Sequence, residues 1–446
     1  MVLTPVVATG KVAGAWWLSR RAFAQVRLPH WRAGCLIFVA SAGGVAGSAW
    51  AQTVPPTGSE GAPVIGQVSV SSPLSTNGAN NQPRFTLVPS IRMAYDTNIL
   101  RNVDQSGSGR DNLRVTPGVD LAYSRLFGRV ALKFSGSVGY DFNDRIRSLN
   151  QSRIISEGSM GAPVGAACSV KADASYRRLT FDLNDTQAAA GSTSATQVYN
   201  VSANCTRESG FNPVAGFTYR SLESSQRRVF DYRQYVGSLG VAYTQPSIGT
   251  VTLNATAAQL RRPHFAELTG FDDDTDVYTL SVGLNRSVSP RIRISAAGGL
   301  TKANPRRTGV RSFLGASYNA QVEWLPTPRL VISGAALREV TNQNGISATY
   351  VIRSNYTLSA ELQLSGKSRV SLIANRSQRD FRGEDLSPSL LPIRADRSNI
   401  ISARYNYDLS HRLRASFDLS HRRREADNPT YNYTSTVLSS SIGAHF

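Results

Sequence analysis

Histidine and cysteine are the residue types from which this chain would have to build a catalytic or metal site, and both are scarce. Of its five histidines, His264, His411, His421 and His445 lie in the body of the sequence. Catalysis by a nucleophile or an acid–base pair needs two such groups within hydrogen-bond reach. His411 falls at a predicted turn and His445 beside the chain end, while His264 and His421 stand at strand–loop borders without a recognisable partner. No CxxC or HxxxH spacing points to zinc, and no G-x-S-x-G elbow occurs in a strand-to-helix context. No enzyme activity, catalytic residue, metal or cofactor is expected. Asp96 and Asn98 are short polar side chains where a strand turns into a loop. They suit a calcium or sugar site less well than local bonding to backbone.

The charged residues recur instead at alternate positions. From Arg129 to Phe142, Val130, Leu132, Phe134, Val138, Tyr140 and Phe142 fall on one face, and Arg129, Lys133, Ser135, Ser137 and Asp141 fall on the other. A period of two is a strand pattern. The stretches Arg311 to Trp324 and Arg353 to Leu364 repeat it. Each is long enough to cross a bilayer when tilted, which takes about 9–11 residues, whereas ordinary strands hold about 5–6. Tight turns are predicted near Phe127, Pro163, Asn212, Pro246, Ser289, Thr327, Gly366 and Ser410, and they alternate with longer polar connections such as 101–111, 183–195, 264–274, 302–309 and 380–393. Short turns on one side and long loops on the other mark an outer-membrane barrel with its turns toward the periplasm. Tyr123, Tyr243, Trp324 and Tyr407, on the apolar face just before tight turns, would form the periplasmic girdle. The expected fold is all-β: a transmembrane antiparallel up-and-down β-barrel of about 18 strands over residues 84–446.

Composition agrees. Only 18% of the 446 residues are charged, with 49 Lys and Arg against 30 Asp and Glu for a formal charge of +19. No run of about twenty apolar residues occurs beyond residue 51, which excludes a helical membrane protein. Residues 1–51 carry Lys11, Arg20, Arg21, Arg27 and Arg32 but no acid, then an apolar Ala33–Gly47 and Ser48-Ala49-Trp50-Ala51. A basic region, a short apolar core and an A-x-A site describe a secretory signal peptide cleaved after Ala51. Cys35 stands at the start of the apolar stretch rather than after it, which argues against lipidation. Residues 52–83, rich in Pro, Gly, Ser and Asn, read as a flexible periplasmic arm. Export places Cys168 and Cys205 in an oxidising compartment. They fall on the lipid-facing side of adjacent predicted strands, so they are either a disulfide or two buried thiols.

The face opposite the apolar one would line a water-filled interior. The candidate lumen residues are Arg129, Lys133, Asp141, Lys171, Asp173, Arg293, Arg311, Glu323, Arg353, Glu361, Arg404, Arg414 and Asp418. Their basic excess would concentrate anions in the bore, because the low-dielectric wall around it focuses the field. Pairing of Arg with Asp across strands would instead only hold the register. The positive charge does not indicate nucleic-acid binding, given the leader and the strands. Arg422-Arg423-Arg424 reads as an outer loop able to bridge lipopolysaccharide phosphates.

At the first strand end stand Tyr95, Asp96 and Asn98 of a Tyr-Asp-x-Asn stretch, and the next strand carries Pro117-Gly118. This pattern resembles the opening of the putative β-barrel porin 2 family of Gram-negative outer-membrane proteins. The alternation from Leu438 to the terminal Phe446 resembles the signal by which the barrel insertion machinery recognises its substrates. The family resemblance implies an outer-membrane channel, often a passive conduit in exopolysaccharide or capsular polysaccharide export, with periplasmic and inner-membrane partners. A diffusion porin for small anions, and a structural or adhesive barrel set in lipid and lipopolysaccharide, are the alternative expectations.

Overall fold

A computed structural model describes residues 84–101, 111–180, 193–207, 209–226, 228–341, 348–383 and 393–445. The leader 1–51, the arm 52–83 and Phe446 lie outside the described residues.

Alternation turns into strands throughout. The first six are β1 (Arg84–Asp96), β2 (Asn112–Phe127), β3 (Val130–Asn143), β4 (Gln151–Val164), β5 (Cys168–Thr180) and β6 (Thr193–Cys205). The next six are β7 (Gly210–Ser224), β8 (Tyr232–Gln245), β9 (Gly249–Arg261), β10 (Thr275–Ser289), β11 (Ile292–Pro305) and β12 (Phe313–Thr327). The last six are β13 (Leu330–Thr341), β14 (Tyr350–Gln363), β15 (Ser368–Arg382), β16 (Ala395–Asp408), β17 (Leu413–Ala426) and β18 (Tyr433–Ala444). Among the described residues one α-helix is present, α1 (Pro263–Thr269), which lies between β9 and β10 and begins on a proline that needs no amide partner there.

All 18 strands form one sheet in which each pairs with its sequence neighbours and β1 pairs with β18, so the sheet closes. Closure leaves no open edge, which lipid would not tolerate. Eight connections are tight turns at one end of the barrel and nine are longer connections at the other. The turn expected near Asn212 falls between Cys205 and Gly210. Asn212 belongs to β7, where its side-chain oxygen accepts the backbone N–H of Arg207 at 2.9 Å. The short-turn end is the periplasmic one.

The outward face carries the apolar side chains. Leu239 is 70% exposed, Leu314 71% and Ile401 65%, which water would not reward and hydrocarbon does. The buried apolar residues are concentrated instead at the long-loop end, among them Leu149, Leu222, Phe230, Tyr232, Leu260, Phe265, Val277, Tyr350, Val351, Phe381 and Tyr433.

The seam has its own fastening. Its register runs from Ser90↔Gly443 to Asp96↔Val437. The Asp96 carboxylate accepts Arg101 Nη1 at 2.9 and 3.0 Å, the backbone N–H of Asn98 at 2.9 Å and Ser435 Oγ of β18 at 2.7 Å. Asn98 Nδ2 donates to the Thr434 carbonyl at 3.1 Å. Asp96 and Asn98 therefore fasten the first strand to the last, while Tyr95 faces outward with its hydroxyl 3.0 Å from Asp111.

Candidate functional site: lumen and extracellular mouth

The inward face is charged but largely self-paired. Arg404 pairs with Asp418, its direct neighbour across β16 and β17. Arg414 meets Asp408 at 2.6 Å, Arg293 meets Glu323 at 3.3 Å and Arg369 meets Glu361 at 3.2 Å. Arg353 meets Glu339 at 3.0 Å, Lys171 meets Asp173 at 2.8 Å and Arg177 meets Glu157 at 2.6 Å. Asp141 is buried and accepts Thr116 Oγ1 at 2.5 Å. Neutralised pairs weaken the field that a basic excess would project into the bore. Among the described residues, no ion pair holds the inward Lys133.

Two candidates are not on the wall. Arg129 lies in the tight turn after β2, one residue beyond Gly128, whose φ of +59° makes that turn. Arg311 lies in the connection before β12, with its carbonyl accepting the Tyr350 hydroxyl at 2.7 Å. Alternation alone does not mark where a strand ends, and here the pattern runs one or two residues past the starts of β3 and β12. Arg422-Arg423-Arg424 is likewise not a loop. The three lie in β17, where Arg423 faces outward and Arg424 inward, buried against Asp396 at 2.7 Å.

Cys168 and Cys205 face each other across β5 and β6 on the outward side near the periplasmic end, and a disulfide joins them. His264, on α1, does have acidic neighbours, Glu267 at 2.9 Å and Asp231 at 3.6 Å. The Glu267 contact is one helical turn away, an ordinary surface pairing.

The two ends of the lumen differ. Near the periplasm the inward side chains are open, with Arg293 61% exposed and Glu323 31%. Toward the outside, inward Leu260, Val277, Ala303 and Thr301 are buried. The cover is the end of the β13–β14 hairpin. Glu339, Val340 and Thr341 are buried in succession, as are Tyr350, Val351 and Ile352, so both faces of the hairpin end are covered. Val340, Tyr350 and Ile352 have the parity of the outward Tyr356 and Leu358, yet they pack on the inward Ala258, Leu260, Val277 and Ala303 of β9–β11. An outer face that meets its neighbours' inner face must lie inside the wall those neighbours make. The other face, Ala348 and Val351, packs on Phe381 and Ile393.

Polar contacts hold the hairpin end in place. Arg262 Nη1 donates to Asp273 at 2.7 Å and to the Ala348 carbonyl at 3.0 Å. Its Nη2 donates to the Val229 carbonyl at 3.1 Å, and its Cζ lies 4.6 Å from the Phe265 ring centre. Thr349 Oγ1 donates to Asp273 at 2.5 Å, and Arg307 Nη1 lies 3.6 Å from the same carboxylate. Gly383, at φ +87°, completes the seat, since a Cβ there would stand 2.2 Å from Thr349 Oγ1. Burial raises the carboxyl pKa of two loop acids at this mouth, Asp231 and Asp274, above the ordinary value of 3.8. One sequence signal marks the insertion: Tyr350-Val351-Ile352 is apolar at three consecutive positions, as a strand covered on both faces must be.

A family model described as putative beta-barrel porin 2 matches residues 82–446, the whole described barrel. The chain belongs to that family. It is a porin-like barrel of the outer membrane, set in lipid. No curated protein matches it. Solved structures with a similar fold include OccK2 (OpdF) of Pseudomonas aeruginosa, with 12% identity, 82% of this chain and 98% of that one covered, and a TM-score of 0.45. A BenF-like porin from Pseudomonas fluorescens has 9% identity, coverages of 82% and 99%, and a TM-score of 0.43. The siderophore receptor PirA of Pseudomonas aeruginosa has 12% identity, coverages of 83% and 81%, and a TM-score of 0.42.

Proposed function

We propose that this porin-like barrel is a passive conduit for a carbohydrate polymer leaving the cell, part of an exopolysaccharide or capsular polysaccharide export system. The observation that carries the reading is the pairing of the inward charges. A bore most of whose Arg and Lys are matched by Asp and Glu, with Ser, Thr and Asn between, offers hydrogen bonds with a weakened field. That suits a hydroxyl-rich chain better than a small anion. The packed mouth fits the direction of travel: the vestibule is open to the periplasm, and the hairpin end must swing aside for a polymer to emerge. The barrel supplies no reaction step. Driving force comes from periplasmic and inner-membrane partners, and the chain reaches the membrane after signal cleavage past Ala51 and insertion by the barrel machinery.

Deleting the gene should abolish secreted polymer while uptake of small solutes stays unchanged. Retained secretion, or a specific loss of anion uptake, contradicts this. A diffusion porin for small anions is the second reading, favoured by the exposed inward Lys133. It predicts an open, anion-selective channel in planar bilayers, whereas the export reading predicts a mostly closed one with weak selectivity.

A further inference from the structure

The outward face has an aromatic girdle at its extracellular level, and the girdle has a gap. Tyr140, Tyr199 and Tyr278 stand exposed on β3, β6 and β10. The Tyr318 and Tyr356 hydroxyls, on β12 and β14, meet at 2.8 Å. The next three strands carry no aromatic at this level. Across them Tyr356 is followed by Arg376, Asn399 and Arg423, in direct register from β14 to β17. Arg397 stands one step further out, between Gln378 and Glu425.

All three arginines are exposed, and all have the outward parity. Below them, past Ala374 and the exposed His421, the outward wall is apolar: Leu358, Leu372, Ile401 and Leu419 are each at least half exposed. The arginines therefore sit at the upper edge of the hydrocarbon band, where lipid headgroups begin. Strands lie about 4.8 Å apart, so Arg376 and Arg423 are on the order of 10 Å apart with Arg397 beside both. Their side chains span that distance. Glu425 holds Arg423 at 2.7 Å, and Asp380 also faces outward from β15. No ion pair holds Arg376 or Arg397 among the described residues.

We propose that Arg376, Arg397 and Arg423 form a binding site for the phosphorylated headgroup of an outer-leaflet lipid, lipid A. Guanidinium forks match phosphate oxygens two at a time, and the acyl chains would lie on the apolar strip below. A tyrosine girdle can only anchor at the interface. Replacing it with arginine on three adjacent strands gives the barrel one side that grips an anion. This inference concerns the outer wall and does not depend on what passes through the lumen.

Purified full-length protein is delipidated in detergent and titrated with lipid A carrying both phosphates, then with enzymatically dephosphorylated lipid A, with bound lipid counted by native mass spectrometry. The site predicts that the wild type binds the phosphorylated form at least about tenfold more tightly, the preference charge-assisted Arg–phosphate bonds give. R376A/R397A/R423A should lose that preference. R178A/R233A, which removes outward arginines elsewhere on the wall, should keep it. Equal binding of the two lipids by the wild type, or an equal loss in both variants, overturns the proposal. The comparison of two lipids on the unaltered protein stands whether or not the triple variant folds.

Discussion

The two halves of the lumen are built from the same alternation of side chains, yet they meet different surroundings. In the periplasmic half the inward residues face water, and Arg293 and Glu323 can pair or part at little cost. In the extracellular half the same parity leads to Val277 and Thr275, both fully buried beneath the β13–β14 hairpin end. Alternation decides which way a side chain points. What it meets there is decided by a hairpin that arrives from several strands away. A porin-like wall can thus hold a wet vestibule and a packed stopper in one chain.

The largest effect should come from placing a charge where the stopper is densest. Val351→Asp sets a carboxylate between Phe381 and Ile393, where an unpaired charge costs several kcal/mol. The hairpin end should leave its seat, and single-channel conductance in bilayers should rise several-fold. Unchanged conductance would mean that the hairpin does not block the path.

Arg262→Ala should act next most strongly. It leaves Asp273, 0% exposed, without its 2.7 Å partner, and breaking such a buried pair costs about 3–5 kcal/mol. Brief openings and new protease cleavage within residues 262–274 are expected, while the barrel keeps its heat resistance. Arg293→Ala tests the other half. Exposed pairs contribute about 0–1 kcal/mol, so the melting temperature should hold. Reversal potentials should shift toward cations, because Glu323 is left unmatched.

The smallest effect is with pH. Asp231 and Asp274 have carboxyl pKa values raised by burial in the packed mouth. The packed state therefore binds protons more readily than an opened one in which both revert to the ordinary 3.8. Its stability grows as pH falls through the raised values, is fully gained below 3.8, and is lost as pH rises again. Open probability should fall modestly on acidification, and D231N/D274N should remove the dependence. Opening on acidification would reverse the assignment.

Much of this barrel is legible in its sequence because a period of two, sustained over unusual length, has few other solutions. Strand number, the side on which the loops lie, and the inward parity of Lys133, Asp173, Glu323 and Glu361 all follow from it. Strand ends do not, because polar residues at a rim continue the pattern into a turn. That is why Arg129 and Arg311 look inward, and why Arg422-Arg423-Arg424 looks like a loop although β17 runs through it. The stopper is harder still. Tyr350-Val351-Ile352 announces a strand buried on both faces, but nothing local to it names Leu260 or Phe381 as the cover. Arg262 and Asp273 find Thr349 only in the folded chain, which closes a long loop between them.

Reactivity of single cysteines placed along the inward face tests the central claim most directly. In a C168S/C205S background, Ser295→Cys on the open half of β11 is compared with Thr301→Cys beneath the stopper, using a small charged thiol reagent. Rapid modification is expected at residue 295 and modification at least about a hundredfold slower at residue 301, as for a site that reacts only through local opening. Equal rates at the two positions would contradict it.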